Sequence, residues 1–364
     1  MENCNMRLTG YELYRYELAY DRPVRWFNSV EASAEYVALR LRAEDGSRGF
    51  AEIPIKTTWH GLSAKTVGAL VEDVLFPALA DTDPSDASAV TSAMAPFPCA
   101  PEAKALISNA CAVLAASACG QPLWGKLGGK QDVEVSWCVT RQTPAAMARE
   151  AEEMVASYGF RSLKLKGGQG FDLDCQMIRD VRKRVGSDVI LSVDANGAYS
   201  ATEALSYMRL LTNEGVAIAE DPCILPPEAA FSELVEHSPL PLLVDMPCTS
   251  VATALAFIQA GAGAISIKPG RIGLSDAIEI AALSKAAGIL HCSGMFAESA
   301  IGSLVSLAFS SSLEAQLVPA EQSFFLKMEQ KLHSPLIVKS GRVLLPEDSD
   351  LDGLIDWARM QRFA

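Results

Sequence analysis

Five charged residues close five short apolar runs at a nearly constant pitch. They are Lys166, Asp194, Glu220, Asp245 and Lys268, spaced 28, 26, 25 and 23 residues apart. A pitch of that length holds one strand, one helix and two loops, so its repetition predicts a parallel sheet of βαβ units. The runs VSWCV, SLKLK, VILSVD, VAIAE, LLVD, AISIK and ILHCS have the length and apolar content of buried strands. Amphipathic stretches separate them: Thr143-Pro144 opens one helix that Gly159 ends, and Ser200 with Glu203 forms the capping box of another. Such evenness predicts an α/β fold of the (β/α) barrel kind, whose chemistry collects at the C-terminal ends of its strands. An open doubly wound sheet is the weaker alternative, because no Gly-x-Gly-x-x-Gly follows a strand.

The first 60 residues follow a different pattern. YVALRLRAEDGSRGFAEI alternates polar and apolar around Asp45-Gly46, a hairpin signal, and SAKTVGALVEDVLFPAL follows as a helix with Ser63 at its N-cap. A second helix is expected over roughly residues 102–120, so residues 1–125 are expected to form an α+β cap and residues 126–332 the barrel. PLIVKSGRVLLPE reads as a hairpin around Ser340-Gly341, and residues 333–364 are expected to return to the cap.

A formal charge of −13 argues against nucleic acid or an anionic membrane as partner, since both would be repelled. No apolar run reaches the about 18 residues that a helical span requires. Nine cysteines without Cys-x-x-Cys spacing, and an N-terminus without a basic-then-apolar signal, predict free thiols and a cytoplasmic protein.

Residues two apart on a strand share a face, so Lys164 and Lys166 point together. Asp194, Glu220 and Asp245 end three consecutive strands at the same mouth, where their charges repel unless a cation neutralises them. Three carboxylates with no Cys/His cluster suit a hard divalent ion, Mg²⁺ with Mn²⁺ as a substitute, and Asn196 stands close enough to support them. Such an ion binds a substrate carboxylate and stabilises the enediolate formed when the α-proton leaves. Lys166 is the expected base, with Lys164 and the cation disfavouring its charged form; Lys268 approaches from the other side. Two bases permit racemisation or epimerisation, and one base with a cationic partner permits elimination or cycloisomerisation.

Lys-x-Lys, Asp-x-Asn, Glu-Asp-Pro at 220–222, Asp245 and Lys268 in KPGRIG together resemble the enolase superfamily, specifically its muconate lactonizing enzyme subgroup. GQPLWGKLGG, GMFAESAIG and SGRVLLPE extend the resemblance over essentially the whole chain. It implies a barrel of the modified TIM type whose cap loops close over the mouth, a small carboxylate substrate and a homo-oligomer. It also implies Asp194, Glu220 and Asp245 as metal ligands, Lys166 and Lys268 as acid/base catalysts, Lys164 as an auxiliary and Glu298 as a polar group beside the substrate. DRPVRWFN and IPIKTTWHG lie where the closing loops belong, so Trp26 and Trp59, with Phe27 and Ile53, are expected to form an apolar lid, and Arg25 and Lys56 to meet a second anionic group.

The chain departs from the family pattern in several places. Asp245-Met246-Pro247 stands where Asp-Glu-Ser is common, and Gly273-Leu274 where Gly-Gly is. Gly294 occupies the position of the histidine of the mandelate racemase subgroup, leaving His291 to packing or hydrogen bonding, and VPAEQSFF replaces the Asp-x-Asp of dipeptide epimerases. The expected activity is therefore that of a racemase, epimerase or cycloisomerase. A dehydratase or o-succinylbenzoate-synthase-like lyase, or a noncatalytic homologue, is the alternative.

Overall fold

The alternating runs near the N-terminus pair with one another. In the computed structural model, which describes residues 6–98, 100–314 and 316–363, they form β1 (Leu8–Arg25), β2 (Val30–Ala43) and β3 (Arg48–Ile55), an antiparallel meander. Gly46, at φ +88°, turns β2 into β3. The helix Pro101–Ala118 lies against this sheet so closely that a Cβ on Gly49 would stand 2.2 Å from the Ala110 carbonyl oxygen. Ser63 caps the helix Ala64–Leu70 by accepting from Thr66 N.

A short strand, β4 (Asp132–Glu134), leads into a parallel sheet of seven strands in chain order. These are β5 (Trp137–Val139), β6 (Ser162–Lys166), β7 (Ile190–Asp194), β8 (Ile218–Glu220), β9 (Leu242–Val244), β10 (Ala264–Ile267) and β11 (Leu290–Ser293). Lys166, Asp194 and Glu220 end their strands as the pattern requires, while Asp245 and Lys268 stand one residue beyond theirs. Strand order equals chain order because each connection is a helix that packs back on the outer face. Residues 316–321 bridge the two edges: Leu317 N donates to His291 O on β11, and Ser136 N, beside β5, donates to Ala320 O.

Period-two alternation divides the sheet's two faces. Leu163, Leu165, Val193 and Ile265 pack in the main core, while Ile218, Leu243, Ala264, Cys292 and Val318 form a smaller cluster. Ile218 shares a face with Glu220, Leu243 with Asp245, and Cys292 with Gly294, so this smaller cluster is an apolar floor one layer beneath the charged residues.

The C-terminal hairpin, β12 (Val338–Lys339) and β13 (Arg342–Leu344), turns through Ser340 and Gly341, both at positive φ, and pairs with β4. The chain then reaches the meander, where β14 (Gln361–Arg362) pairs with β1. The meander also meets the segment after β11 at Glu52 of β3, which is 1% exposed. Its carboxylate accepts from Tyr16 OH and from the hydroxyl and amide of Ser299, the N-cap of the helix Ala300–Ser312. The seven described cysteines are free, and among the described residues no helix is long and apolar enough to cross a membrane.

Candidate active site and metal centre

Parallel register brings the strand-ending residues side by side: Lys166 pairs with Asp194, and Asp194 with Glu220. Asp245 follows β9, and its position is set by Asp221. That aspartate, buried at φ +37°, accepts from Asp245 N at 3.1 Å and from Met246 N at 2.6 Å. The result is three buried carboxylates, Asp194, Glu220 and Asp245, each offering an oxygen within 4.8 Å of the others.

Their surroundings pull the three carboxyls apart. Burial raises Asp194, but Lys166 and Lys164 outweigh it and hold the group down at about 2. Asp245 is likewise raised by burial and lowered further by Lys268 and Arg271, ending well below the usual carboxylate range. Glu220 goes the other way: burial and then Asp194 push it well above its ordinary value. One of its oxygens, Oε2, is ion-paired with Lys164 Nζ at 2.7 Å but accepts no well-aligned hydrogen bond. Three buried carboxylates this close repel one another, as the rise of Glu220 reflects, and a hard divalent cation held by the three oxygens relieves that repulsion. The donor set therefore fits such an ion.

The three lysines take distinct stations. Lys164 donates to Glu220 at 2.7 Å and to Glu321 at 3.0 Å, with Asp194 at 3.4 Å. Lys166 reaches Asp194 at 2.5 Å, and Lys268 pairs with Asp245 at the other end of the triad. Burial is the largest influence on Lys166 and lowers it, and Lys164 lowers it too, but Asp194 and, with smaller contributions, Cys138 and Glu220 together outweigh them and raise the amine above its ordinary value.

Sequence reasoning missed Glu321 as a partner of Lys164. It is 3% exposed, also accepts from Met295 N at 3.1 Å, and sits in VPAEQSFF as the last residue of the segment that bridges the sheet edges. An acid at the end of the bridge between the last and first strands lies at the mouth, and that was the available signal. Arg271 was quoted only within its motif. Its guanidinium donates to Asp245 O at 2.9 Å and Cys248 O at 2.8 Å, fixing the loop that carries Asp245.

A cavity of 200 Å³ opens over the lysines. Lys166, Lys268, Asp245 and Asn196 line one end; Trp26, Phe27, Trp59 and Phe296 line the other. Asn196, at φ +49°, donates to both oxygens of Asp194, through its amide at 2.8 Å and its side chain at 3.1 Å. Trp26, on the turn between β1 and β2, meets Trp59 of the short helix Thr57–His60 edge to face at 5.5 Å.

Two expectations need correction. Glu298 does not line the cavity: its carboxylate turns back to accept from Phe296 N at 2.7 Å and Ser306 Oγ at 3.0 Å, and burial raises it. Lys56 is not available to an anionic ligand, because it is buried against Glu31 beneath the rings of Trp26 and Trp59. Neither Arg25 nor His291 lines the cavity.

Comparison with known proteins adds to this geometry. The family model "Mandelate racemase / muconate lactonizing enzyme, N-terminal domain" matches residues 12–128, and "Enolase C-terminal domain-like" matches residues 146–351. An L-Ala-D/L-Glu epimerase of Bacillus subtilis is 28% identical over 321 residues, covering 84% of this chain and 86% of that one. An N-succinylamino acid racemase of Thermus thermophilus is 30% identical over 308 residues, covering 82% and 80%. The crystal structure of a muconate lactonizing enzyme from Mycobacterium smegmatis, complexed with muconolactone, aligns at a TM-score of 0.89 with 27% identity, covering 98% of this chain and 100% of that one.

Proposed function

Because the chain belongs to the mandelate racemase / muconate lactonizing enzyme family of the enolase superfamily and is an isomerase of that kind, we propose that Lys166 and Lys268 move the proton α to the carboxyl group of a small substrate. The carrying observation is the placement of the amines: Lys166 touches Asp194 at one end of the carboxylate triad and Lys268 touches Asp245 at the other. An α-carbon held above the triad therefore has an amine on each side.

Asp194, Glu220 and Asp245 would hold a divalent cation, Mg²⁺ by preference, which when bound binds the substrate carboxylate and stabilises the charge of the enediolate. Once Asp194 is engaged in that way, Lys164 is the charged neighbour that pushes Lys166 toward its neutral, proton-accepting form. Glu321, outside the triad, remains to keep Lys164 charged: burial lowers Lys164, but Glu220 and then Glu321 raise it well above its ordinary value. Asn196 holds Asp194 in place, and Arg271 and Asp221 hold the Asp245 loop. Trp26, Trp59 and Phe296 exclude water from the reacting end.

The same reading takes the seven-stranded sheet, bridged by residues 316–321, as a closed barrel of the modified TIM type under a cap of residues 1–125, with the 333–364 tail returning to the cap. A homo-oligomer in the cytoplasm accords with the family resemblance. The test is α-hydrogen exchange of carboxylic acids in D₂O followed by NMR. Exchange should stop on chelation and return with Mg²⁺, and Glu220→Gln should weaken Mg²⁺ binding measured by calorimetry. Exchange that persists in metal-free protein contradicts the proposal.

A further inference from the structure

Arg141 stands two residues beyond the end of β5, in VTRQTP, and is 8% exposed. A guanidinium keeps its charge, so burying one requires a counter-charge or hydrogen bonds. Burial lowers its pKa, and the charges of Asp194 and then Asp174 offset this only in part. Both carboxylates have other partners: Asp194 pairs with Lys164 and Lys166, and Asp174 accepts from two amides and two tyrosines. Backbone carbonyls hold Arg141 instead. Its Nε donates to Gly167 O at 2.7 Å and its Nη2 to Ala195 O at 3.2 Å.

Those two carbonyls are not arbitrary. Gly167 directly follows Lys166, and Ala195 directly follows Asp194. One planar fork therefore ties the end of β5 to the residues after the proposed base and after a proposed metal ligand, a span that a single-donor side chain does not reproduce. The fit is close: a Cβ on Gly168, at φ +75°, would lie 2.5 Å from Ala195 O and 2.8 Å from Arg141 Nη2. Ala195 O also accepts from Ala198 N at 3.2 Å, so Gly167 O depends more on the guanidinium. Arg141 does not line the cavity, and it acts through the backbone alone. Arg271 stands in the same relation to the other end of the triad, donating to Asp245 O.

We propose that Arg141 is a positioning residue: by holding Gly167 O and Ala195 O on one guanidinium it sets Lys166 against Asp194, and with that the metal affinity of the triad and the reach of the Lys166 amine. The part concerning Lys166 rests on the isomerase reading above; the part concerning the metal is read without any substrate.

Mg²⁺ and Mn²⁺ binding to metal-stripped protein is measured by calorimetry for the unaltered chain, Arg141→Met, Arg141→Lys and Arg182→Met. Arg182 is the control, because it too donates to two carbonyls, Gly186 O and Val189 O at 2.7 Å each, but at the opposite end of β7. Arg141→Met should weaken metal binding by about tenfold to 100-fold. Arg141→Lys, which keeps the charge and loses the fork, should recover only part, and Arg182→Met should bind as the unaltered chain does. At saturating Mg²⁺, for any acid whose α-hydrogen the unaltered protein exchanges in D₂O, Arg141→Met should slow by about 100-fold the enantiomer that depends on Lys166 and the other far less. General destabilisation would slow both alike.

Unchanged metal binding in Arg141→Met, full recovery in Arg141→Lys, or equal weakening in Arg182→Met overturns the proposal. Equal slowing of both enantiomers overturns its Lys166 part. If Arg141→Met does not fold, Arg141→Lys decides: unaltered affinity overturns the proposal and a partial loss upholds it. Weakened metal binding in a protein that exchanges no acid upholds the role of Arg141 at the triad while the isomerase reading fails.

Discussion

Gly294 stands where a side chain would meet Lys268, one of the two lysines proposed to move the α-proton. A Cβ at this position would lie 2.1 Å from Ser266 Oγ, 2.8 Å from Lys268 Cε and 3.3 Å from Lys268 Cγ. The backbone there is not in the left-handed region, so Gly294→Ala is resisted by space alone. Contacts that short do not persist; the Ser266 hydroxyl must move by about 1 Å within a packed layer, and the Lys268 stem must yield as well. Overpacking of this size costs about 1–3 kcal/mol of stability. A displacement of about 1 Å in a proton-transfer group costs about 100-fold in rate. The loss should be one-sided, because Lys166 stands at the opposite end of the triad. The assay is α-hydrogen exchange in D₂O measured separately for each substrate enantiomer, alongside urea unfolding. Gly294→Ala should slow exchange of one enantiomer by about 100-fold and that of the other far less. Adding Ser266→Ala removes the closest contact and should recover stability before it recovers rate. Equal exchange of both enantiomers at the original rate, with unaltered stability, would refute the steric reasoning.

Other groups give tests away from the reacting atoms. Burial pushes Glu52 up to about 7 from the ordinary 4.5 of a free glutamate, despite hydrogen bonds from Ser299 and Tyr16. A carboxyl raised in the folded state retains its proton after the unfolded chain has lost its own, so its contribution is complete below about pH 4.5 and is lost as pH rises through about 7. The loss is about 3 kcal/mol, and Glu52→Gln should flatten that part of the stability profile in urea unfolding at pH 5 and pH 7.5; parallel profiles would sink the assignment. Asp174, fully buried, accepts from Gly168 N at 2.7 Å, Gln169 N at 3.2 Å, Tyr199 OH at 2.8 Å and Tyr207 OH at 2.6 Å, directly after Lys166. Asp174→Ala leaves these donors unpaired and should cost about 3–5 kcal/mol in denaturant unfolding; a loss below about 1 kcal/mol means that water or rearrangement replaces the carboxylate.

The parts legible in the sequence were those with a local period. Strand ends at Lys166, Asp194 and Glu220 follow from alternation and pitch, and the Ser63 and Ser200 caps from residue type and spacing. The Ser340-Gly341 and Asp45-Gly46 hairpins follow from turn chemistry. What stayed hidden depends on contacts between distant segments. Glu321 is 157 residues from the Lys164 it holds, and Glu102 reaches His60 from another helix. Glu298 was misplaced for the opposite reason: a carboxylate two residues from an unpaired amide can turn back onto it, and the Phe296 N contact does so. Lys56 looked like a free cation because nothing local announces Glu31, which lies across the β1–β2 turn from Trp26 and binds both residues.

The most direct measurement replaces each outer lysine in turn and follows the two enantiomers of an accepted substrate in D₂O. With a lysine on each side of the α-carbon, Lys166→Ala should abolish interconversion yet leave Lys268 able to exchange the α-hydrogen of one enantiomer. Lys268→Ala should do the reverse, and both variants should retain Mg²⁺ binding. If both lose exchange with the same enantiomer only, or if Lys166→Ala still interconverts the pair, the two amines do not flank the reacting carbon.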